Sequence, residues 1–465
     1  MYFSLEKTGI DIKTFAEFVG GTATDATAAL AYGISTDSRT TKQGDVFFAL
    51  RGENFDGHRF IPSAQNAGCV FAVVEYIPEG CTVPCVLVEN TTKALGNFAR
   101  SYKNLFQPLT LAVTGSVGKT TTKQFISSVL GMKYKANVTK GNFNNEIGLP
   151  LTILNLTADH EALLLEMGMN HKGEISYLSH IAEPDIAVIT NIGSSHLENL
   201  GSREGIRNAK MEIIDGMHEG GILILNADEP LLADVPAKGL TKIYIGTENK
   251  KAAYRADNIR IHDDHMLFDL CLHNAVLMKD LRVNVIGKHH IHNVLTAAVC
   301  GMLVGISEEN IRTGLLNFVP ADMRQSISEK DGITVIEDCY NASPESMRAG
   351  LNVLCHTAKV KARRPVAVLG DMKELGSASA EAHFGVGEYA AKCGIERLVT
   401  FGAAAMDIAN GAIKNGMPQD RVLVIEDSDN AENAAALLKT VLRENDVVLF
   451  KASRAVALER LIRLL

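Results

Sequence analysis

The feature that most constrains this chain is a glycine-rich loop between a predicted strand and a predicted helix, in the stretch LTLAVTGSVGKTTTKQFISSVLG (residues 109–131). The apolar run LTLAVTG predicts a buried strand, and KTTTKQFISSVLG predicts a helix that ends at Gly131. The usual phosphate-binding loop has Gly, four residues and then Gly-Lys-Ser/Thr. Counted back from Gly118, its first glycine would stand at position 113, where this chain has Val113. The loop is therefore a shortened form.

The chemistry of this loop suits an anionic ligand. Gly115 and Gly118 allow backbone N–H groups to approach phosphate oxygens, and the start of the helix adds a favourable dipole. Lys119 would reach the β- and γ-phosphates of a nucleotide, and the Thr120 hydroxyl would bind Mg²⁺. The alternative is a glycine-rich turn followed by a surface lysine. Because the loop directly follows a buried strand, the sequence favours nucleotide binding.

The rest of the chain divides into three blocks that predict an α/β protein. Residues 1–105 contain short strand-like segments, such as DVFFAL and CVFAVVE. Residues 106–318 alternate strand-like runs (LTLAVTG, EALLLEMG, DIAVITNIG, GILILN) with helix-length spacers, which predicts a parallel sheet covered by helices. An antiparallel insert is expected between about 250 and 286. Residues 319–465 repeat the alternation through PVAVLGDM, RLVTFG, VLVIED and DVVLFKAS, which predicts a second doubly wound domain.

Composition excludes several classes of protein. The net charge is −8 and no basic cluster stands out, so we expect no nucleic-acid partner. No apolar run approaches the roughly 18–20 residues that span a bilayer, so we expect no membrane insertion. The start of the chain lacks the charged and apolar regions of a signal peptide, which predicts a cytoplasmic protein. The eight cysteines form no C-x-x-C pair, which indicates reduced thiols.

Polar residues at other strand ends are candidates for a second part of the site. Glu166 ends the strand of EALLLEMGMN, where an acid could contact Mg²⁺. His196 follows the next strand, in VITNIGSSHLE; it is either a metal ligand or a surface residue. The segments GNFNNEIGLP (141–150) and GKHHIHNVLTAA (287–298) each open a predicted helix. Their polar residues could be ordinary helix caps, but they are more numerous than capping requires.

Together these motifs resemble the Mur ligase family of ATP-dependent amide-forming enzymes. The segments TGSVGKTTT, NFNNEIGLPLT, EMGMNHKGEI, ITNIGSSHLENLGS, AKMEI, NADEP, GKHHIHNVLTAA and DCYNASPESM occur in the family's order and span all three blocks. The shortened loop is also the family's form. The resemblance implies a small α/β N-terminal substrate domain (1–105), a central P-loop parallel-sheet ATPase domain (106–318) and a C-terminal Rossmann-like domain (319–465).

The resemblance also implies a reaction. The motifs are most similar to those of the member that joins D-Ala-D-Ala to UDP-MurNAc-tripeptide through an acyl phosphate, with ATP and two Mg²⁺ ions. Alternatives are a tripeptide-forming sibling, folylpolyglutamate synthase, a nucleotide-dependent switch and a P-loop kinase. The family implies a monomer. No motif distinguishes meso-diaminopimelate from lysine as the third residue of the tripeptide.

The resemblance implies four catalytic residues, Lys119, Glu166, His196 and Lys210, with Thr120 as a further metal ligand. Lys119 neutralises phosphate charge, Thr120 and Glu166 hold one Mg²⁺, and His196 holds the second. Lys210 matches the family lysine that reacts with CO₂ to form an anionic carbamate, which can join the metal site. Taken without the family, Lys210 would be predicted to be a solvated helix lysine.

The remaining implied contacts involve ATP and the uridine substrate. The expected ATP-binding residues are Thr114, Gly115, Ser116, Val117, Gly118, Lys119, Thr120, Thr121, Asn293, Arg324 and Asp338, with His289 in the same motif as Asn293. The expected substrate-binding residues are Ser38, Arg39, Asp56, Gly57, His58, Asn142, Asn144 and Asn145. Arg39 could contact a phosphate or form a surface salt bridge. Ser343 and Ala452 depart from the family's usual Asn and Gly.

Overall fold

The computed structural model describes residues 2–4, 9–25, 28–52, 54–237, 239–426 and 430–465. Three main sheets follow one another along the chain, with six, nine and six strands. Each sheet has a mostly parallel centre, as the alternation of strands and helices predicts. The predicted three-domain α/β class is confirmed. None of the described helices is both long and apolar enough to cross a membrane.

The N-terminal sheet has the order β1-β5-β6-β9-β10-β3, and its four central strands are parallel. The N-terminal block also has two small two-stranded sheets, β2-β4 and β7-β8. Asp11 caps the first helix by accepting hydrogen bonds from the backbone of residues 13 and 14. Phe15 of that helix stacks on Phe98, with 4.4 Å between ring centroids, and this contact joins two helices in the core. The elements are β1 (Tyr2–Ser4), β2 (Ile10–Asp11), α1 (Ile12–Val19), β3 (Thr22–Ala23), β4 (Leu30–Ala31), β5 (Gly33–Ser35), β6 (Asp45–Phe48), β7 (Arg51–Gly52), β8 (Phe55–Asp56), α2 (Ile61–Asn66), β9 (Phe71–Val74), β10 (Cys85–Leu87) and α3 (Thr91–Phe106).

The central sheet has the order β12-β13-β11-β14-β15-β16-β17-β18-β19. It is parallel from β12 to β17, so the carboxyl ends of β11, β13 and β14 meet at one edge. The expected antiparallel insert is present as β17–β19 and extends this sheet. The elements are β11 (Leu109–Thr114), α4 (Lys119–Leu130), β12 (Ala136–Val138), α5 (Gly148–Ile153), β13 (Ala162–Glu166), α6 (Glu174–Ala182), β14 (Ile186–Ile189), α7 (Leu197–Leu200), α8 (Arg203–Met211), β15 (Ile222–Asn226), β16 (Thr241–Gly246), β17 (Tyr254–Ile261), β18 (Met266–Leu272), β19 (Ala275–Val283), α9 (His289–Leu303) and α10 (Glu308–Leu316).

The C-terminal sheet has the order β20-β21-β25-β22-β23-β24, and only the β20-β21 pair is antiparallel. The four predicted strands are confirmed as β22–β25. The hairpin β20-β21 was not predicted, because its edge strand SISEK is polar and half exposed. The elements are β20 (Ser326–Lys330), β21 (Ile333–Glu337), α11 (Pro344–Lys361), β22 (Arg364–Gly370), α12 (Ser379–Lys392), β23 (Arg397–Phe401), α13 (Met406–Lys414), β24 (Val422–Ile425), α14 (Ala431–Val441), β25 (Asp446–Lys451) and α15 (Glu459–Leu464).

Candidate active site

The glycine-rich loop lies between β11 and α4, at the edge of the central sheet. Gly115 has φ +152° and Gly118 has φ +85°, both in the region that favours glycine. A Cβ at Gly115 would lie 1.8 Å from Thr190 Oγ1, and a Cβ at Gly118 would lie 3.1 Å from Asn293 Oδ1. Any side chain at Gly115 would therefore displace Thr190. The close approach of Thr190 explains why the shortened loop needs glycine there.

The segment after β14 holds this loop in place. Val117 N donates to Asn191 Oδ1 (2.9 Å), and Ser116 N donates to the Asn191 carbonyl (3.1 Å). Thr190 Oγ1 and Asn191 Nδ2 both donate to the Val117 carbonyl, at 2.7 and 3.1 Å. The sequence analysis missed Thr190 and Asn191 as loop supports. Their signal is the polar Thr-Asn pair directly after an apolar strand.

Lys119 is the electrostatic centre of the site. Its Nζ donates to the Gly115 carbonyl at 2.8 Å. Burial lowers the pKa of Lys119; the Glu166 carboxylate opposes this shift, and the Arg324 guanidinium adds to it. A phosphate would supply the anionic partner that such a buried ammonium favours.

Glu166 ends β13 and is buried. Its Oε1 accepts a hydrogen bond from Asn144 Nδ2 (2.9 Å), and its Oε2 lies 3.0 Å from Lys123 Nζ. Burial by itself raises the pKa of Glu166, but the Lys123 and Lys119 ammonium groups hold it below the ordinary value. The carboxylate is therefore ionised and oriented. Lys123, four residues after Lys119 on α4, was not among the predicted site residues.

His196 lies between β14 and α7, with its backbone in the left-handed region at φ +65°. Its side chain is 16% exposed, and its Nδ1 lies 2.8 Å from Glu374 Oε2 of the C-terminal domain. The hydrogen bond from His196 lowers the pKa of Glu374. Two residues earlier, Ser194 Oγ donates to Glu345 Oε1 at 2.9 Å, so the same loop contacts the C-terminal domain twice.

Lys210 lies on the buried face of α8 and is only 1% exposed. In the described part of the chain its ammonium has neither a hydrogen bond nor an ion pair. Burial, and secondarily the charge of Lys119, lowers the pKa of Lys210 well below its ordinary value. A solvated helix lysine does not have these properties. Both effects favour the neutral, nucleophilic form of the amine.

A cavity of ≈ 210 Å³ opens between the loop and the C-terminal domain. Arg324 lies over the Tyr340 ring, 4.3 Å from its centroid, and Asp338 Oδ2 accepts a hydrogen bond from the buried Lys451 at 2.6 Å. Asn293 Oδ1 accepts from Thr122 Oγ1 at 3.0 Å. The cavity brings together nine of the predicted ATP-binding residues: Ser116, Val117, Gly118, Lys119, Thr120, Thr121, Asn293, Arg324 and Asp338.

Two histidines and a glutamine extend this cavity where the central and C-terminal domains meet. Gln325 bonds His290 Nε2 at 2.8 Å through its Oε1 and His289 Nε2 at 3.0 Å through its Nε2. Burial lowers the pKa of both histidines, so both are neutral. Gln325 and Lys451 were not predicted, because their partners come from distant parts of the chain.

Comparisons with known proteins agree with this architecture. The Mur ligase family catalytic domain matches residues 31–103, the Mur ligase middle domain matches residues 113–301, and the Mur ligase glutamate ligase domain matches residues 323–454. A UDP-N-acetylmuramoyl-tripeptide–D-alanyl-D-alanine ligase of Bacillus subtilis (strain 168) is 37% identical over 460 residues, which are 97% of both chains. This chain belongs to the Mur ligase family.

Solved structures of Mur ligases superpose on almost the whole chain. MurF from Acinetobacter baumannii matches with a TM-score of 0.89 and 29% identity, over 99% of both chains. MurF ligase from Thermotoga maritima, solved in complex with ADP, matches with a TM-score of 0.81 and 31% identity. That match covers 93% of this chain and 96% of the other.

In this Mur ligase the predicted N-terminal residues form a separate group that does not line the cavity. His58 Nδ1 lies 2.7 Å from Asp56 Oδ1, and the His58 ring stacks on Tyr76. Burial opposes the shift, but hydrogen bonds from His58 and Tyr76 hold the pKa of Asp56 at about 2. A Cβ at Gly57 would lie 2.7 Å from the Leu50 carbonyl, so glycine is required there.

The other predicted substrate residues of the Mur ligase have varied surroundings. Arg39 is exposed and bonds Asp37, with Nη2 and Oδ2 2.7 Å apart, which is the surface salt bridge that the sequence left open. Ser38 beside it is half-buried. Asn145 caps α5 through a 2.8 Å hydrogen bond from Gly148 N, while Asn142 is exposed. Asn144 thus differs from its neighbours, because it bonds Glu166.

The remaining predicted phosphate-loop residue, Thr114, lies behind the Mur ligase loop, where its Oγ1 donates to the Met167 carbonyl at 2.9 Å. This bond joins the ends of β11 and β13. Within the described ranges, His, Cys, Asp and Glu side chains form no metal-binding group of three or more.

Proposed function

We propose that this chain is an ATP-dependent ligase that joins D-Ala-D-Ala to UDP-MurNAc-tripeptide and gives the pentapeptide precursor of peptidoglycan. The observation that carries the choice of substrates is the 37% identity to the Bacillus subtilis D-Ala-D-Ala ligase over 97% of both chains. The terminal carboxylate of the tripeptide attacks the γ-phosphorus of ATP, and ADP leaves. The amine of D-Ala-D-Ala then attacks the acyl carbon, and phosphate leaves.

The first step brings a carboxylate against a triphosphate, and the site must offset their repulsion. Lys119 lies half-buried at the start of α4, where its ammonium and the helix N-terminus favour phosphate oxygens. Arg324 lies at the other side of the cavity, held over Tyr340. We assign Lys119 and Arg324 to the phosphates of ATP, and the amides of residues 115–118 to the same oxygens.

The residues around Lys119 fit Mg²⁺. Glu166 is a buried, ionised carboxylate, and Thr120 offers a hydroxyl at the helix start; both are hard oxygen donors of the kind Mg²⁺ prefers. Mg²⁺ usually takes one or two carboxylates together with substrate phosphates, so a small protein ligand set suffices. We assign Thr120 and Glu166 to one ion and His196 to a second. Bound Mg²⁺ would neutralise the charge that develops on the phosphoryl group.

Lys210 is proposed to carry a carbamate. Its neutral nitrogen attacks the carbon of CO₂ and loses a proton, which leaves an N-carboxylate of charge −1 on a side chain that was uncharged. The carbamate would balance the Lys119 charge that lowers the pKa of Lys210. An anionic Lys210 could join His196 in holding the second Mg²⁺.

The other predicted contacts with ATP and with the substrate are part of the same proposal. Asn293 would lie beside the adenine, and Asp338, held by Lys451, would contact the ribose. We assign eight residues to the UDP substrate: Ser38, Arg39, Asp56, Gly57, His58, Asn142, Asn144 and Asn145. We propose domains at 1–105, 106–318 and 319–465, a monomer, and a cytoplasmic location where ATP is available.

The test is phosphate release from ATP with UDP-MurNAc-tripeptide, with and without D-Ala-D-Ala, together with mass spectrometry of the product. We expect release that needs both substrates and a pentapeptide product. Lys119→Ala should abolish it, while Lys133→Ala, which changes an exposed lysine just beyond the end of the same helix, should not. Another required amine would indicate a sibling enzyme. Release that ignores both substrates would indicate a switch, and a stable phosphorylated product a kinase.

A further inference from the structure

Glu374 of the C-terminal domain is aimed at His196 of the central domain. Its Oε2 lies 2.8 Å from His196 Nδ1. The carboxylate is half-exposed, whereas the imidazole is mostly buried. Beside this contact, Gly376 packs against α7. A Cβ added at Gly376 would lie 3.2 Å from Glu198 Cβ. The two domains therefore touch where His196 is located.

The loop that presents Glu374 is fixed from within its own domain. Met372 N donates to Nε2 of the fully buried His383 at 2.9 Å, and Lys373 N donates to Ser453 Oγ at 3.0 Å. Asp371 Oδ1 accepts from Ala405 N at 2.8 Å. These bonds hold the residues before Glu374 between β22 and β25. Glu374 is thus presented by a rigid support.

The backbone at both ends of the contact is unusual. Glu374 and His196 each have φ +65°, a left-handed conformation that residues other than glycine rarely adopt. Such conformations persist when the surrounding structure imposes them, and they concentrate at functional sites. Both of these residues take part in the same interdomain contact.

The carboxylate beside Nδ1 biases the state of the imidazole. A carboxylate oxygen is an acceptor only, so at 2.8 Å it favours a proton on Nδ1 of His196 over a lone pair there. The lone pair of a neutral His196 then resides on Nε2, which is free to bind a cation. Histidines that bind metals usually donate their other N–H to a carboxylate, which fixes the tautomer and ring orientation.

We propose that Glu374 is a positioning residue for ligation: it fixes the Nδ1–H tautomer of His196 and thereby makes assembly of the metal site depend on contact with the C-terminal domain. This inference rests on the proposed function, since it gives Glu374 a task in that reaction. Glu374 itself contacts neither substrate nor the reacting atoms.

Kinetics of full-length variants test the proposal. Glu374→Ala should lower kcat about 10- to 100-fold, with KM for ATP changed less than about threefold. Glu374→Gln should lose less, because its amide oxygen still accepts the hydrogen bond. The control Glu388→Gln changes an exposed carboxylate of α12 that pairs with Lys392, and should leave kcat unchanged.

A double variant and a spectrum separate positioning from mere structural support. Glu374→Ala added to His196→Ala should cause no further loss of kcat, because Glu374 acts through His196. In metal-free protein, ¹⁵N imidazole NMR, assigned against His196→Ala, should show the Nδ1–H tautomer, and Glu374→Ala should remove that preference. Multiplied losses in the double variant, an unchanged tautomer, or an unchanged kcat would each overturn the proposal. If the wild type forms no pentapeptide, the proposed function fails, and the spectrum still decides whether Glu374 controls His196.

Discussion

At the scale of single residues, the site depends on charges that the fold has removed from water. Glu166 and Lys210 are buried and Lys119 is half-buried, and the Lys119 charge lowers the pKa of both Glu166 and Lys210. Sequence motifs predicted the identities of these three residues but not their burial. For Lys210 the sequence did contain a signal of burial. Ile206 and Ala209 lie four positions and one position before Lys210, and all three residues lie on the apolar face of α8. We expect its neutral amine to be the source of its reactivity.

The Lys210 assignment predicts a chemical rescue. Lys210→Ala should reduce ligation to a few per cent or less, because the anionic carbamate is lost, and short carboxylates such as acetate should restore part of the rate by occupying the vacated space. The matched control is Arg207→Ala, a partly exposed position on the same helix whose side chain bonds its neighbour Asn208. Steady-state phosphate release measures both variants. Full activity of Lys210→Ala would exclude the carbamate.

At the scale of elements, the strand–loop–helix unit was predicted correctly, including the end of the helix at Gly131. The supports of the loop were not predicted, because Thr190 and Asn191 come from the segment after β14, far from the loop in sequence. The polar 141–150 segment, predicted to bind substrate, orients Glu166 through Asn144 and caps α5 through Asn145. Local sequence patterns thus predict helices and strands. The contacts between these elements depend on how they pack in the folded chain, which local patterns do not show.

The Lys123–Glu166 pair predicts a large effect on stability. Both side chains are buried, and removing one partner of a buried pair leaves an uncompensated charge, at a cost of about 3–5 kcal/mol. Lys123→Met should lower the free energy of unfolding by about that amount in urea denaturation followed by circular dichroism. Lys135→Met breaks an exposed pair with Asp159 and should cost less than about 1 kcal/mol.

A double variant checks the origin of this loss. Lys123→Met combined with Glu166→Leu replaces the pair by apolar groups and should recover most of the stability, although not activity. If Lys123→Met alone is as mild as Lys135→Met, the pair does not stabilise the central domain.

At the scale of the whole molecule, the site lies between domains. The three-domain α/β architecture was predicted from the alternation of strands and helices and from the order of motifs. The pairs that join the domains could not be predicted, because Ser194–Glu345 and His196–Glu374 connect residues far apart in sequence. The hairpin β20-β21 was missed because its exposed edge strand, β20, lacks an apolar pattern.

The transfer of ¹⁸O from the tripeptide carboxylate to phosphate tests directly whether the reaction passes through an acyl phosphate. UDP-MurNAc-tripeptide labelled with ¹⁸O in its terminal carboxylate is incubated with ATP, D-Ala-D-Ala and the enzyme. Ligation through an acyl phosphate transfers one ¹⁸O from the carboxylate to the released phosphate, because the bond that breaks in the second step joins carbon to that oxygen. We predict one ¹⁸O in each phosphate and one in each pentapeptide amide. Unlabelled phosphate would contradict the account, since it would mean that water, not the tripeptide carboxylate, attacks ATP.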